Sequence, residues 1–343
     1  MTMNCLNLYG RKELHGCFKN YPMRILITGG FGFIGGRLAK YLQKTGHQIV
    51  LGSRKADSQP DWLLQTNVVQ TIWGNAYALE QICAGVDVVI HAAGMNAQDC
   101  SADPLAALEF NGLGTARLVE AAIRAKVKQF IYLSTAHVYA SPLTGIITED
   151  SCPRNLHPYA TSHLAGENVV LGASQRGQID GIVLRLSNAF GVPVYKEQNC
   201  WMLLVNDLCR QAVETGKMVL QTSGQQQRDF IALTELSGIV EHLAVAYSAK
   251  VQPAIFNVGS GVSQSVLAMA QLIQQRCIEV LGFKPLVQRV GVGSDESYSM
   301  LNYRADKLAL LGIKVNNTEN AAEIDMLLRF CNTVFKQTQC TKA

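Results

Sequence analysis

The stretch RILITGGFGFIGG, residues 24–36, decides the fold. Arg24-Ile25-Leu26-Ile27-Thr28 is a short apolar run of the kind that forms a strand buried on both faces. Glycines follow at 29, 32 and 35, and Phe33-Ile34 then open a helical pattern continued by Leu38 and Leu42. Strand, glycine turn and helix in that order make a site for a dinucleotide pyrophosphate. One glycine permits the tight turn, one lets backbone approach phosphate, and one lets helix pack on strand. The helix start at Phe33 and Ile34 supplies N–H groups to the anion.

Outward from this segment, apolar runs alternate with helical patterns. Strands are expected at 24–28, 48–52, 68–72, 86–91, 129–134 and 181–186, with helices near 33–45, 77–84, 103–125 and 158–175. Such alternation implies a Rossmann-type, doubly wound parallel sheet with right-handed crossovers in an α/β chain. The rhythm loosens after residue 187. A long loop is expected from Asn188 to Cys200, then helices at 201–215, 234–248, 264–281 and 319–336, with short strands near 254–258 and 286–290. The implied organisation is a tail over 1–22, a dinucleotide-binding domain over 23–187, and a smaller mixed α/β lobe over 188–343. Some elements of that lobe return to the large domain. Met23 directly precedes the first strand, so the tail reads as disordered chain or as a start placed too early.

The bulk composition excludes several classes. The 343 residues carry a net charge of +4, 48% hydrophobic and 16% charged residues, ordinary for a soluble enzyme. Basic residues do not cluster among aromatics, so nucleic acid is not an expected partner. No apolar run approaches the roughly 18–20 residues of a membrane span. Ten cysteines show no paired spacing, which fits reduced thiols in a cytoplasm, and no metal site is expected.

Several positions read as ligand contacts. Where a carboxylate at the end of the second strand would grip ribose hydroxyls, this chain has Ser53 followed by Arg54 and Lys55. Nothing there repels a 2′-phosphate and a guanidinium is available to hold one, so the reading leans from NAD to NADP. Asn75 is a candidate adenine contact. Ala92, Ala93 and Gly94 close the fourth strand with small residues, leaving room for a cofactor against the backbone. Ser134 and Thr135 end the fifth strand at the edge where such sheets place ligands. Tyr159 and His163, four residues apart, share one helical face.

With these residues in place the chain resembles the extended short-chain dehydrogenase/reductase superfamily, and within it the NAD-dependent nucleotide-sugar epimerase/dehydratase family. The resemblance spans residue 23 to about 335 and rests on TGGFGFIGG, HAAG, Asn111 in FNGLGT, LSTAHVYA, Tyr159, LRLSN, RDF and FNVGSG. It implies that Tyr159 is the acid/base at a sugar hydroxyl, that Thr135 binds the same substrate oxygen, and that Asn111, Ser134, Tyr159 and His163 belong to the cofactor site. It also implies that Asn96, Asn188 and Arg228 contact substrate, Arg228 through a nucleotide pyrophosphate, and that two chains pair through the helices near 103–125 and 158–175.

Three departures qualify the likeness. His163 stands where the family has a lysine that binds the nicotinamide ribose and lowers the tyrosine pKa. Histidine, with an ordinary pKa of about 6.5, gives a weaker electrostatic push. Ala136-His137 stand where the family's 4,6-dehydratases carry Asp-Glu, which disfavours water elimination and leaves epimerisation or carbonyl reduction. Gly291 to Glu296 lacks an arginine found in several relatives, with Arg289 and Arg304 as nearby substitutes. Three readings stay open: a nucleotide-sugar epimerase or reductase serving a surface polysaccharide, a reductase of a non-nucleotide carbonyl, and a catalytically weak dinucleotide-binding sensor or scaffold.

Overall fold

A computed structural model describes residues 22–55, 59–246, 254–290, 299–315 and 317–336. Most of the expected tail, the 291–296 segment and the end of the helix expected at 234–248 therefore lie outside the described residues.

The central sheet has seven parallel strands: β1 (Arg24–Thr28), β2 (Gln48–Ser53), β3 (Asn67–Gln70), β4 (Val88–His91), β5 (Gln129–Thr135), β6 (Asp180–Leu186) and β7 (Ile255–Val258). Their spatial order is β7-β6-β5-β4-β1-β2-β3, and every adjacent pair is parallel. The order reverses between β1 and β4, the crevice where sheets of this topology bind ligands. β7 comes from late in the chain and returns to the sheet beside β6.

Strand periodicity explains why the runs are apolar throughout. Side chains alternate between faces, and both faces are covered. Ile25, Ile27, Leu51, Ile90, Ile131 and Ile182 pack on one side with the helices Phe33–Lys44 and Leu233–Ala246. Leu26, Val50, Val89, Phe130, Tyr132 and Val183 pack on the other with Ala76–Cys83, Thr115–Arg124 and Pro158–Gln175. Burying each large side chain contributes about 1.5–3 kcal/mol. A separate core of Leu208, Phe230, Met269, Ile273 and Leu327 joins the helices Leu204–Thr215, Val266–Leu281 and Thr318–Phe335.

Two expectations change in detail. The stretch read as one helix over 103–125 is α-helical at Pro104–Ala107, π-helical at Leu108–Gly114 and α-helical again at Thr115–Arg124. Sequence periodicity does not reveal this widened turn, which carries Asn111 and often marks a functional segment. Within the expected loop at 188–200, Asn188–Phe190 is a strand pairing parallel with Gln227–Ala232. Three residues are too few to show an alternating pattern.

Candidate active site

The glycine turn is shaped by close backbone packing. Gly29 has φ of +69°, and a Cβ there would stand 2.8 Å from the Ala93 backbone and 2.9 Å from the Ala92 carbonyl carbon. A Cβ on Gly35 would collide with the Gly29 carbonyl. Gly32 precedes the helix Phe33–Lys44, no side chain caps that N-terminus and no acidic residue lies in its first turn, so the N–H groups at Phe33 and Ile34 are suited to an anion. The turn is also held from outside. Gln198 Nε2 donates to the carbonyls of Phe31 (3.1 Å) and Gly32 (2.9 Å), and Tyr195 donates to Phe31 (2.7 Å). These residues fit a dinucleotide: small groups open the space and N–H groups line it.

At the β2 end, the Ser53 hydroxyl accepts from the Lys55 N–H at 3.1 Å, and Arg54 lies over the Phe110 ring at 5.9 Å. Arg54 is exposed. Asn75 caps the helix Ala76–Cys83 by accepting from the Ala78 N–H at 3.0 Å. Asn96 likewise caps Ala97–Ala102, accepting from the Asp99 N–H at 2.9 Å and donating to the Asp99 carboxylate at 2.8 Å. Both amides thus have local partners of the kind helix starts require.

Asn111 points from the π-helical turn into the protein. It accepts from the Met95 N–H at 2.9 Å and donates to Ser162 Oγ at 3.0 Å, tying the end of β4 to the helix Pro158–Gln175. That helix starts with Pro158 in its first turn, and the His157 imidazole accepts from the Tyr159 N–H at 3.1 Å. Tyr159 and His163 sit one turn apart with their rings edge to face, centroids 4.6 Å apart. A Cβ on Gly94 would be 3.7 Å from His163 Nε2, so this nitrogen faces the closing turn of β4. Burial raises the Tyr159 pKa, while hydrogen bonding from Thr135 opposes the rise and nearby Cys100 adds to it. Burial also pushes His163 down to about 4 and His91 to about 3, so both imidazoles are neutral at pH 7.

Neighbouring residues at the end of β5 face opposite ways, as strand geometry demands. Thr135 turns toward Tyr159. Ser134 instead donates to buried Glu167, which holds Arg185 through three contacts of 2.6–3.1 Å. Ser134 therefore serves the support of the site. Glu167 and Arg185 did not figure among the sequence candidates. Their signal was the four-residue spacing of Tyr159, His163 and Glu167 along one helix face.

Arg228 and Asp229 separate in the same way. Asp229 is buried and accepts from the Ser260 N–H (2.8 Å) and hydroxyl (3.1 Å). Arg228 makes no ion pair among the described residues; its nearest polar contact is Gln226 at 3.5 Å. Burial lowers its pKa; burial also lowers that of His137, with the charge of Arg228 adding to the fall. Asn188 donates to the Asp229 carbonyl at 2.8 Å. Arg304, by contrast, pairs with Asp306 at 3.0 Å.

Fold and site together define a dinucleotide-binding α/β protein with a hydroxyl pair, Thr135 and Tyr159, where the carboxyl end of β5 meets the helix Pro158–Gln175. Residues 25–259 match the NAD dependent epimerase/dehydratase family, and the chain belongs to that family. It is 27% identical over 285 residues to the dTDP-D-glucose 4,6-dehydratase of Bos taurus, covering 78% of this chain and 77% of that protein. It is 28% identical over 263 residues to the dTDP-6-deoxy-L-talose 4-dehydrogenase (NAD(P)(+)) of Kitasatospora kifunensis, covering 74% and 78%. The fold resembles that of the Thermus thermophilus UDP-glucose 4-epimerase in complex with NAD, with TM-score 0.73, 21% identity and coverage of 91% and 100%. Among the described residues no helix is long and apolar enough to cross a membrane.

Proposed function

We propose that this chain is an NAD(P)-dependent epimerase or reductase of a nucleotide-linked sugar, acting on a sugar hydroxyl or carbonyl carbon. The observation that carries the reading is the chain of contacts from Thr135 to Tyr159 to His163, with His163 facing Gly94 beside the glycine turn. When bound, the nicotinamide accepts or returns hydride. Tyr159 takes the proton from the sugar hydroxyl as that carbon is oxidised and returns it on reduction. Thr135 holds the same oxygen, and His163 Nε2 takes over the ribose contact of the family lysine. Gly29, Gly32 and Gly35 with the helix start at Phe33 and Ile34 hold the pyrophosphate, while Ala92, Ala93, Gly94 and Asn111 form the floor. Arg228 binds the substrate diphosphate, with Asn188 beside it.

The choice of epimerase or reductase over dehydratase rests on the carboxylates. Ala136 and His137 follow Thr135 directly, and neither is an acid. The carboxylates near this edge are committed elsewhere: Glu167 to Arg185, Asp229 to Ser260, and Glu149 to the N–H groups of Asn257 and Lys307. The absence of an acidic pair after Thr135 supports epimerisation or reduction over water elimination, for which His137 is the one nearby shuttle among the described residues. The free described thiols fit a reducing cytoplasm, and the glycan role follows the family. Parallel titrations with NAD⁺ and NADP⁺, followed by incubation with a panel of UDP- and dTDP-sugars, test the reading. Arg54→Ala is expected to weaken NADP⁺ binding by about tenfold or more and spare NAD⁺. An equal effect on both removes the NADP preference. Binding without conversion of any sugar nucleotide leaves a dinucleotide-binding protein.

Leu105, Leu108 and Leu113 are exposed on the rod formed by Pro104–Ala107 and Leu108–Gly114. This apolar row supports the homodimer proposed through this rod and the helix Pro158–Gln175. Sedimentation should show two chains per particle, reduced to one by Leu105→Glu with Leu108→Glu. A monomeric wild type overturns the pairing.

A further inference from the structure

Tyr132 has no part in the chemistry proposed above, yet it touches the residue in which this chain departs from its family. We infer that the Tyr132 hydroxyl locks His163 in the Nε2–H form, so that the imidazole presents one fixed N–H donor to the cofactor cleft. Tyr132 is then a positioning residue acting through His163. The consequence for the cofactor rests on the proposed function; the geometry of the lock does not.

The hydrogen bonds can be assigned one proton at a time. Tyr132 is 1% exposed, and its hydroxyl lies 3.0 Å from His163 Nδ1, with the Thr115 hydroxyl as a second neighbour. A buried phenol must place its proton on an acceptor. The nearby Thr115 hydroxyl already donates to the Asn111 carbonyl at 2.5 Å, since a carbonyl only accepts. Thr115 therefore accepts from His91 Nε2 at 3.0 Å, and Thr28 donates to His91 Nδ1 at 2.6 Å. With Thr115 engaged as donor to Asn111 and acceptor from His91, the phenol proton of Tyr132 is assigned to His163 Nδ1, which leaves the ring proton on Nε2.

The surroundings fix the ring in that attitude. His163 lies between Tyr159, at a centroid distance of 4.6 Å, and Tyr132, at 5.9 Å. Its Nε2 faces Gly94, whose virtual Cβ would be 3.7 Å away. A Cβ on Gly166 would stand 2.7 Å from the Tyr132 oxygen and 2.9 Å from the Asn111 carbonyl, so only glycine lets the hydroxyl reach the helix. Lysine carries three donors on a flexible stem and needs no such lock. A neutral imidazole carries one proton, and on the wrong nitrogen it offers the ribose no donor.

The test is a ¹H–¹⁵N imidazole correlation spectrum of the full-length protein, with His163 distinguished from the other six histidines by a His163→Gln variant. Wild type should show His163 with a protonated Nε2 and a bare Nδ1. Tyr132→Phe should turn this into a mixture of tautomers, and Gly166→Ala, which retains the phenol but displaces it, should do the same. Tyr132→Phe should also weaken dinucleotide binding about three- to tenfold. In a His163→Lys background the same change should leave affinity untouched, which a general packing defect would not. A protonated Nδ1 in wild type, or an unchanged His163 spectrum in a folded Tyr132→Phe protein, overturns the inference. A locked wild-type spectrum in a protein that binds neither NAD⁺ nor NADP⁺ supports the lock and overturns the proposed function alone.

Discussion

Tyr159→Phe should lower turnover by about 100- to 10,000-fold, the usual contribution of a positioned acid/base, while leaving dinucleotide affinity unchanged. The ring stays and still packs edge to face on His163; only the proton-carrying oxygen is lost. Turnover within tenfold of wild type would exclude Tyr159 as the acid/base. The environment of this tyrosine sets a pH dependence as well. Burial raises its pKa above the ordinary value near 10, hydrogen bonding from Thr135 pulls it down, and Cys100 raises it further. His163, pushed down to about 4, carries no charge at pH 7 and so does not favour the phenolate. In the oxidising direction the base form is required, so activity should climb with pH on the limb governed by Tyr159. His163→Lys places a cation one helical turn away, and an opposite charge at that range lowers a pKa by about one unit or more. The limb should then move to lower pH. Identical pH profiles for the two proteins would sink the electrostatic argument.

The second large effect concerns stability. Glu167→Gln should cost about 3–5 kcal/mol of unfolding free energy, because it leaves Arg185 charged and uncompensated in the interior. Glu167 is fully buried and Arg185 is 3% exposed. Burial alone would lower the arginine pKa, but the hydrogen bonds and charge of Glu167 outweigh it and raise the pKa overall. Arg185 also lies over the Tyr139 ring at 4.7 Å, and its carbonyl accepts from Tyr303 at 2.7 Å. Urea unfolding of the single variant against Glu167→Met with Arg185→Met separates charge from packing. The double variant should recover much of the loss, since an apolar pair leaves no stranded ion. A single variant as stable as wild type would show that the pair contributes nothing net. The same pair receives the Ser134 hydroxyl beside Thr135, so loosening it should also depress turnover through misplacement of the threonine.

The main sheet was legible because its strands are buried on both faces and so read as unbroken apolar runs; all six strands expected before residue 187 form within two residues of the expected bounds. The glycine turn was legible because its conformations exclude side chains. Tyr159 and His163 were legible because four residues bring two side chains to one helix face. What distance along the chain hides was decided by the tertiary structure. Asp229 turns to Ser260 and leaves Arg228 without an ion pair among the described residues, although the two are adjacent in sequence. Ser134 and Thr135, also adjacent, face a buried carboxylate and Tyr159 respectively. Asn75 and Asn96, chosen as ligand contacts, fall at helix starts where backbone N–H groups claim them first.

Tyr132 is the clearest case. In sequence it is one more apolar residue of a buried strand, and only the packing of Pro158–Gln175 across β5 brings its hydroxyl to His163. The sequence by itself determined the chain's family, its nucleotide turn and the residue types at the reacting edge, because these depend on local backbone conformation and short spacing. The protonation, tautomer and support of those residues depend on which groups share a buried volume, and only the folded chain decides that.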